Sequence, residues 1–312
     1  MAHSPRVAFV FPGQGSQFVG MGKDVYAGFE KARAVFDAAD KALGFQLSQL
    51  CFEGPEEELR LTVNVQPAIV TFSLAILAVM QSGNHQMTPS FAAGHSLGEY
   101  SALSAAGTLA TYDAILLSRE RGKLMYQAGV KKPGAMAAVI GLADEVVSQL
   151  AAEAGVYVAN YNCPGQIVIS GEAKRLEKAK GLATSHGALK VVPLQVSGAF
   201  HTSLMQPAAD GLAQVISRVN FNAPSFPVIG NASAKPLVSI GDVKDELVQQ
   251  LIHSVQWQKS IEYLLSQGVE TFVEIGPGKV LSGLIKRIKR DARTINIGDA
   301  QSLRDFIEKG IV

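Results

Sequence analysis

Ser90-Phe91-Ala92-Ala93-Gly94-His95-Ser96-Leu97-Gly98 decides how the rest of the chain is read. A short apolar run leads into a glycine-flanked turn, and Leu97 to Ala106 beyond it is compatible with helix. Gly94 to Gly98 fits the G-x-S-x-G pattern, in which a serine sits on a strained strand-to-helix turn and the glycines make room for the backbone. A helix starting there would aim amide donors and a partial positive charge at the serine oxygen. Ser96 is the candidate nucleophile.

Outward from this turn the chain alternates strand and helix. Val7 to Phe11 reads as a buried first strand ending at the turn Pro12-Gly13-Gln14-Gly15-Ser16, and helical patterning follows from Asp24 to Leu43. Pro67 to Met80 reads as a buried helix with proline in its first turn. Thr111 is a plausible N-cap for a helix over Tyr112 to Gln127 that carries both Arg119 and Arg121. The middle of the chain has its own order: strand Met136–Ile140, helix Asp144–Ala154, strands Tyr157–Asn160 and Gln166–Ser170, helix Ala173–His186 and strand Lys190–Leu194. This β-α-β-β-α-β order is the ferredoxin-like pattern, and it suggests a subdomain over 132–196 inserted into an α/β domain made of 1–131 and 197–312. Alternation resumes with helix Pro207–Arg218, strand Val228–Ala232, helix Val243–His253 and strand Thr271–Ile275.

The chain has 312 residues, 47% hydrophobic and 18% charged, with a formal net charge of +1. That is the balance of an ordinary globular protein, with no global field to attract nucleic acid or an anionic membrane. Cys51 and Cys163 form no CxxC pair and no metal-ligand spacing, so neither a disulfide framework nor a metal site is expected, and a reducing cytoplasmic setting fits. The apolar stretch Ile69–Met80 falls short of the ~20 residues that span a bilayer, so no membrane segment is expected. Gly276-Pro277-Gly278-Lys279 lacks the spacing of a phosphate-binding loop.

A serine hydroxyl needs a base. His201, in the loop Ser197 to Thr202 that follows the subdomain, is the strongest histidine candidate; His3, His85 and His186 lie in polar or terminal settings, and His253 near a helix end. His95 would point away and support the turn. Asp113, Glu120, Asp144, Glu145, Glu153, Glu172 and Glu177 lie between Ser96 and His201, and none sits in a convincing strand-end loop. A backbone carbonyl or an amide side chain is therefore the expected orienter of the imidazole.

Phe11-Pro12-Gly13-Gln14-Gly15-Ser16-Gln17, Gly94 to Tyr100, Gly198-Ala199-Phe200-His201, Val255-Gln256-Trp257 and Glu274-Ile275-Gly276-Pro277-Gly278 appear in order along nearly the whole chain. Together they resemble the malonyl-CoA:acyl-carrier-protein transacylases of fatty acid and polyketide synthesis. The resemblance implies an α/β-hydrolase-like core with a ferredoxin-like insertion. It implies Ser96 as nucleophile, His201 as base, the backbone amides of Gln14 and Leu97 as the oxyanion hole, and the main-chain carbonyl of Gln250 as the group orienting the histidine. It makes Arg121 the clamp for the malonyl carboxylate, and of the two neighbouring arginines only the resemblance selects it over Arg119. A guanidinium presents paired donors to a carboxylate. Phe200 falls where family members taking unsubstituted malonyl carry a bulky aromatic; otherwise it is a core phenylalanine.

The partners so implied are malonyl-CoA and acyl carrier protein, with coenzyme A thioester as substrate and no cofactor, acting as a cytoplasmic monomer. A serine thioesterase or esterase, or a trans-acting acyltransferase of a polyketide synthase, is the alternative. The basic run Lys286-Arg287-Ile288-Lys289-Arg290 reads either as a solvated end of the last long helix or as a docking patch for an acidic carrier.

Overall fold

The computed structural model describes residues 6–82 and 87–310, so His3 and His85 lie outside the described residues. Strand β1 (Arg6–Phe11) is central to a six-stranded sheet, because both of its faces are apolar. Val7, Phe9 and Phe11 point into one core and Ala8 and Val10 into another, so each side of the strand is covered, as parallel sheets require.

The first core is built by α1 (Lys23–Gly28), α2 (Glu30–Leu43), α3 (Leu47–Glu53), α4 (Glu56–Arg60) and α5 (Thr62–Ser82), followed by β2 (Phe91–Gly94), α6 (Gly98–Ala105) and α7 (Thr111–Lys131). The helix expected over Asp24–Leu43 is broken at Phe29, which is extended (φ −140°, ψ 119°) after the poor helix former Gly28. Thr111 is itself helical, and Ala110 stands at the cap without a side-chain hydrogen bond.

Pro67 sits inside α5 and not in its first turn. A proline there offers no N–H to the carbonyl four residues back, that of Val63. Arg119 Nη1 donates to the Val63 carbonyl at 2.5 Å and to Asn64 Oδ1 at 2.6 Å, so an arginine from α7 replaces the missing bond and the helix runs on. At 21 residues α5 is long and apolar enough to cross a membrane by length and composition, but 83% of its most apolar window is buried inside the protein. It packs against α2 and α7 as a core helix.

The middle segment holds β3 (Gly134–Ile140), α8 (Asp144–Ala154), β4 (Tyr157–Cys163), β5 (Gln166–Glu172), α9 (Ala173–Ser185) and β6 (Lys190–Pro193). Its four strands form an antiparallel sheet in the order β4-β5-β3-β6. Alternation divides its faces: Ala137, Val139, Ile167 and Ile169 pack under α8 and α9, whereas Met136, Ala138 and Val168 face the larger core.

A 3₁₀ turn (Ser203–Met205) and α10 (Gln206–Ile216) lead back to the main sheet, followed by β7 (Val228–Ile229), β8 (Pro236–Leu237), α11 (Ile240–Gln249), α12 (Trp257–Ser266) and β9 (Val269–Ile275). β7 is shorter than the expected Val228–Ala232 because Gly230 N turns to Lys235 O and the amide of Asn231 goes to Glu99. α11 begins three residues before the expected start, since Ser239 and Asp242 form a capping box. The chain then adds α13 (Val280–Ile288), β10 (Arg293–Ile297) and α14 (Ala300–Lys309), so the helix carrying Lys286 and Arg287 is not the last. The large sheet runs β10-β9-β1-β2-β7-β8, parallel except for the β7–β8 pair. β4 is stitched to the segment between α11 and α12, where Tyr161 N meets Val255 O at 2.9 Å and Val255 N meets Ala159 O at 2.8 Å.

Candidate active site

The site lies beyond the carboxyl ends of β1 and β2, where open α/β sheets bind ligands. Phe11 and Gly94 are register partners at those ends, and His95 N donates to Phe11 O at 3.0 Å. A Cβ on Gly94 would stand 2.0 Å from the Gly98 carbonyl carbon, and one on Gly98 would stand 2.2 Å from Phe11 O. Only glycine lets strand, turn and helix close this tightly.

The turn leaves Ser96 at φ 51°, a conformation that side-chain-bearing residues rarely adopt. His201, at φ 58°, is in the same region, and Ala234 is the third such non-glycine among the described residues. Two of the three therefore face each other: Ser96 Oγ lies 2.9 Å from His201 Nε2. Strain held at a reacting pair by its surroundings is characteristic of functional sites.

His201 Nδ1 is 2.7 Å from the main-chain carbonyl of Gln250. A carbonyl oxygen only accepts, so Nδ1 carries the proton and the Nε2 lone pair faces the serine hydroxyl. None of the seven carboxylates considered from the sequence pairs with this imidazole. Burial, and then the charge of Arg121, push His201 down to about 3, so it stands neutral and able to accept a proton throughout the physiological range.

Arg121 is one of the largest fully buried side chains, so its guanidinium is enclosed by protein and does not lie on a solvated face of α7. Its Nη2 donates to Ser96 Oγ at 3.0 Å and to Gln250 Oε1 at 2.7 Å, and its Nη1 to Gln66 Oε1 at 2.7 Å, leaving Nε without a partner. Burial holds its guanidinium below the ordinary value. Gln66 in turn donates to Thr62 Oγ1 at 2.9 Å, whose hydroxyl donates to Gln14 Oε1 at 3.2 Å, so a chain of side chains joins Arg121 to the loop after β1. Arg119, two residues away, serves the break in α5 described above and stacks over Phe45 at 4.8 Å.

Gln250 enters the site three ways, through its carbonyl on His201, its Oε1 on Arg121 and its Nε2, which donates to Ser96 O at 3.2 Å. In the turn itself the Ser96 amide goes to Asn231 Oδ1, and those of Gly98, Glu99 and Tyr100 turn back to His95 O, Ser96 O and Leu97 O. The amide of Leu97 is the one remaining donor of that turn. Leu97 and Gln14 both line a cavity of about 250 Å³ together with Ser96, Arg121, His201 and Phe200. Phe200 is at once 5% exposed, part of the core and part of the cavity wall. Met136, Ala138 and Val168 of the small sheet close the opposite side.

Sequence reasoning missed Gln66, Asn162, Asn231 and the paired carboxyls Glu99 and Glu246. His95 does support the turn: its Nε2 meets Asn162 Oδ1 at 2.8 Å, tying the turn to β4. Glu99 stood in a quoted motif, and a carboxylate in the first turn of a helix packed on a sheet was the available signal. Among the described residues no group of three or more His, Cys, Asp or Glu could hold a metal ion.

Residues 8–302 match the acyl transferase domain family. The chain belongs to that family. It is 48% identical over 308 residues to the malonyl CoA-acyl carrier protein transacylase of Bacillus subtilis (strain 168), covering 97% of this chain and 96% of that one. The acyl-carrier-protein-S-malonyltransferase of Bartonella henselae superposes with a TM-score of 0.94 at 43% identity, covering 98% of this chain and 100% of the other. A malonyl-transacylase solved in complex with its type II PKS acyl-carrier protein superposes with a TM-score of 0.93 at 42% identity, covering 97% and 99%. The family likeness thus spans both sheets and every residue of the site.

Proposed function

We propose that this acyltransferase moves the malonyl group of malonyl-CoA to the phosphopantetheine thiol of an acyl carrier protein through an ester on Ser96. The observation that carries the reading is the buried Arg121 guanidinium 3.0 Å from Ser96 Oγ, beside a neutral imidazole at 2.9 Å. A cation sealed next to the nucleophile favours an acyl group with its own carboxylate, and relatives named for malonyl transfer match nearly the whole of this chain.

In the first half-reaction His201 Nε2 takes the Ser96 proton while Oγ attacks the thioester carbon. The amides of Gln14 and Leu97 hold the resulting oxyanion, the carbon–sulfur bond breaks, and the departing coenzyme A sulfur takes the proton from Nε2. In the second, the carrier thiol gives its proton to Nε2 and attacks the ester, and Ser96 Oγ leaves with that proton. Arg121 exchanges its bonds to the serine and glutamine oxygens for the malonyl carboxylate, and Phe200 meets any branch on the acyl chain. A methyl branch is worth only ~1–3 kcal/mol of discrimination. The scheme needs no metal or redox cofactor, coenzyme A being part of the substrate.

The two sheets support a discontinuous α/β-hydrolase-like domain over 1–131 and 197–312 with a ferredoxin-like subdomain over 132–196, the reacting groups lying between them. We place the enzyme in the cytoplasm as a monomer, with neither nucleic acid nor membrane as partner. Intact-protein mass spectrometry after mixing with malonyl-CoA is expected to show one malonyl adduct, absent in Ser96→Ala, that discharges to carrier proteins of fatty acid or polyketide systems. Release of free malonate at the same rate with and without carrier would make the protein a thioesterase and sink the proposal.

A further inference from the structure

Behind the Ser96 turn, on its sheet side, lies a buried polar cluster that the transfer scheme does not use. Asn231, 2% exposed, follows β7. Its Oδ1 accepts the Ser96 amide at 2.8 Å and its Nδ2 donates to the Gly94 carbonyl at 2.8 Å, so one side chain brackets the turn on both sides of His95. Reversing the amide would set donor against donor at Ser96 and acceptor against acceptor at Gly94. Glu99 fixes the orientation further, because its Oε2 accepts both Asn231 Nδ2 and, at 2.9 Å, the Asn231 backbone amide. Glu246, from α11, holds the next residue, its Oε1 accepting Ala232 N at 2.5 Å.

We propose that Asn231, oriented by Glu99, is a positioning residue that holds Ser96 in the left-handed conformation from which its Oγ faces His201. The energy of a backbone at φ 51° must be offset by its surroundings, and the Asn231 amide bonds the strained residue directly. Neither Glu99 nor Glu246 has a basic side chain within ion-pair distance among the described residues. The charged and titratable groups around Glu99 are Glu246 from α11, Arg121 from α7 and its own neighbour Tyr100. Burial and the nearby Glu246 push the Glu99 carboxyl up to about 8. At neutral pH the raised carboxyl is therefore held mainly in its protonated form, while its Oε2 accepts from Asn231.

The inference rests on Ser96 being the nucleophile of the proposed transfer, and its test uses two reagents so that the two ideas fail separately. A fluorophosphonate reads the competence of Ser96 with no acyl group to recognise, and malonyl-CoA reads acylation. Asn231→Ala is expected to slow both single-turnover rates by roughly 10–100-fold, the scale of a slightly misplaced reacting group, with malonyl-CoA affinity unchanged when measured in a Ser96→Ala background. In Asn231→Asp the second oxygen would face the Gly94 carbonyl and Glu99, so labelling relative to the parent should recover as pH falls from 8 to 5 and that oxygen gains a proton. A merely structural role would not produce this pH-dependent rescue. Glu99→Gln, which keeps an acceptor toward Asn231, should label within about threefold of the parent, and Glu99→Ala about tenfold more slowly. A folded Asn231→Ala labelled at the parent rate overturns the proposal, as does an Asn231→Asp variant that tracks the parent at every pH. If Asn231→Ala gives no cooperative melt, the aspartate and glutamine variants decide alone. A parent that takes the fluorophosphonate but not malonyl-CoA would defeat the malonyl reading and leave the positioning role standing.

Discussion

Two sets of buried polar side chains flank the Ser96 turn, and they differ in what their hydrogen bonds reach. On the cavity side His201 and Arg121 both reach Ser96 Oγ, an atom that can react. On the sheet side Asn231, Glu99 and Glu246 reach backbone amides and carbonyls. The first set can change partners during a reaction; the second satisfies main-chain groups that have no water to turn to. Changes on the cavity side should therefore appear in rate and substrate choice with the fold kept, and changes on the sheet side in the competence of Ser96 together with stability and its pH dependence.

The largest effect belongs to the base. His201→Ala should cut the acylation rate by roughly 10²–10⁴-fold without lowering the melting temperature, measured by stopped reaction and mass spectrometry. A near-parent rate would remove His201 from the scheme and blur the contrast between the two sides.

Next comes Arg121→Ala, expected to lose about 10²-fold in malonyl transfer while acetyl transfer holds or improves, since no buried cation then lacks a carboxylate. The same change removes a charge that holds His201 down, so the imidazole rises from about 3 toward its ordinary value and the acid fall of the acylation profile moves to higher pH. Arg119→Ala is the control from the same helix. It strips the bond to the Val63 carbonyl, so it should lower stability by about 1–2 kcal/mol and leave the malonyl-to-acetyl ratio alone. If Arg119 moved the ratio and Arg121 did not, the assignment of the clamp would be reversed.

The smallest effect on rate belongs to Glu99→Gln, which sharpens the sheet side through stability instead. Glu99 sits at about 8 in the folded protein against an ordinary 4.5, so the folded state binds more protons between those values. Its contribution to stability is full below the lower value and is lost as pH rises through the upper one. Melting temperature should therefore fall across pH 5 to 9 more steeply in the parent than in Glu99→Gln. Equal slopes would mean that Glu99 ionises in the fold much as it does in the unfolded chain.

Legibility followed the range of the interactions. In the middle segment α8 came out at its observed bounds, Asp144–Ala154, and every other element within three residues at either end, because hairpin pairing and helix patterning there are local. In the large sheet the strands come from distant parts of the chain, and the reading was poorer. β7 was overextended and β10 and α14 were not seen, since their patterns are short and their partners lie far away in sequence. Pro67 was misplaced for the same reason: nothing near it in the sequence announces that Arg119 will take over the vacant carbonyl.

The sequence by itself determined the turn at Ser96, because glycines at fixed offsets and an apolar run before them are local steric requirements. It determined His201 as the candidate base by elimination among few histidines, and the ordered motifs marked the family. Of Arg119 and Arg121 only the resemblance picked one from sequence, and only the tertiary structure showed why they differ: two positions apart on one helix they point to different neighbours, Val63 O and Ser96 Oγ. Only it revealed that one glutamine, Gln250, touches His201, Arg121 and Ser96 together, and that Asn231 and Glu99 stand behind the nucleophile. These residues lie up to 154 positions from Ser96 along the chain. Local pattern records which conformations a segment tolerates, whereas hydrogen-bond partners across the sheet exist only once the strands have been brought side by side.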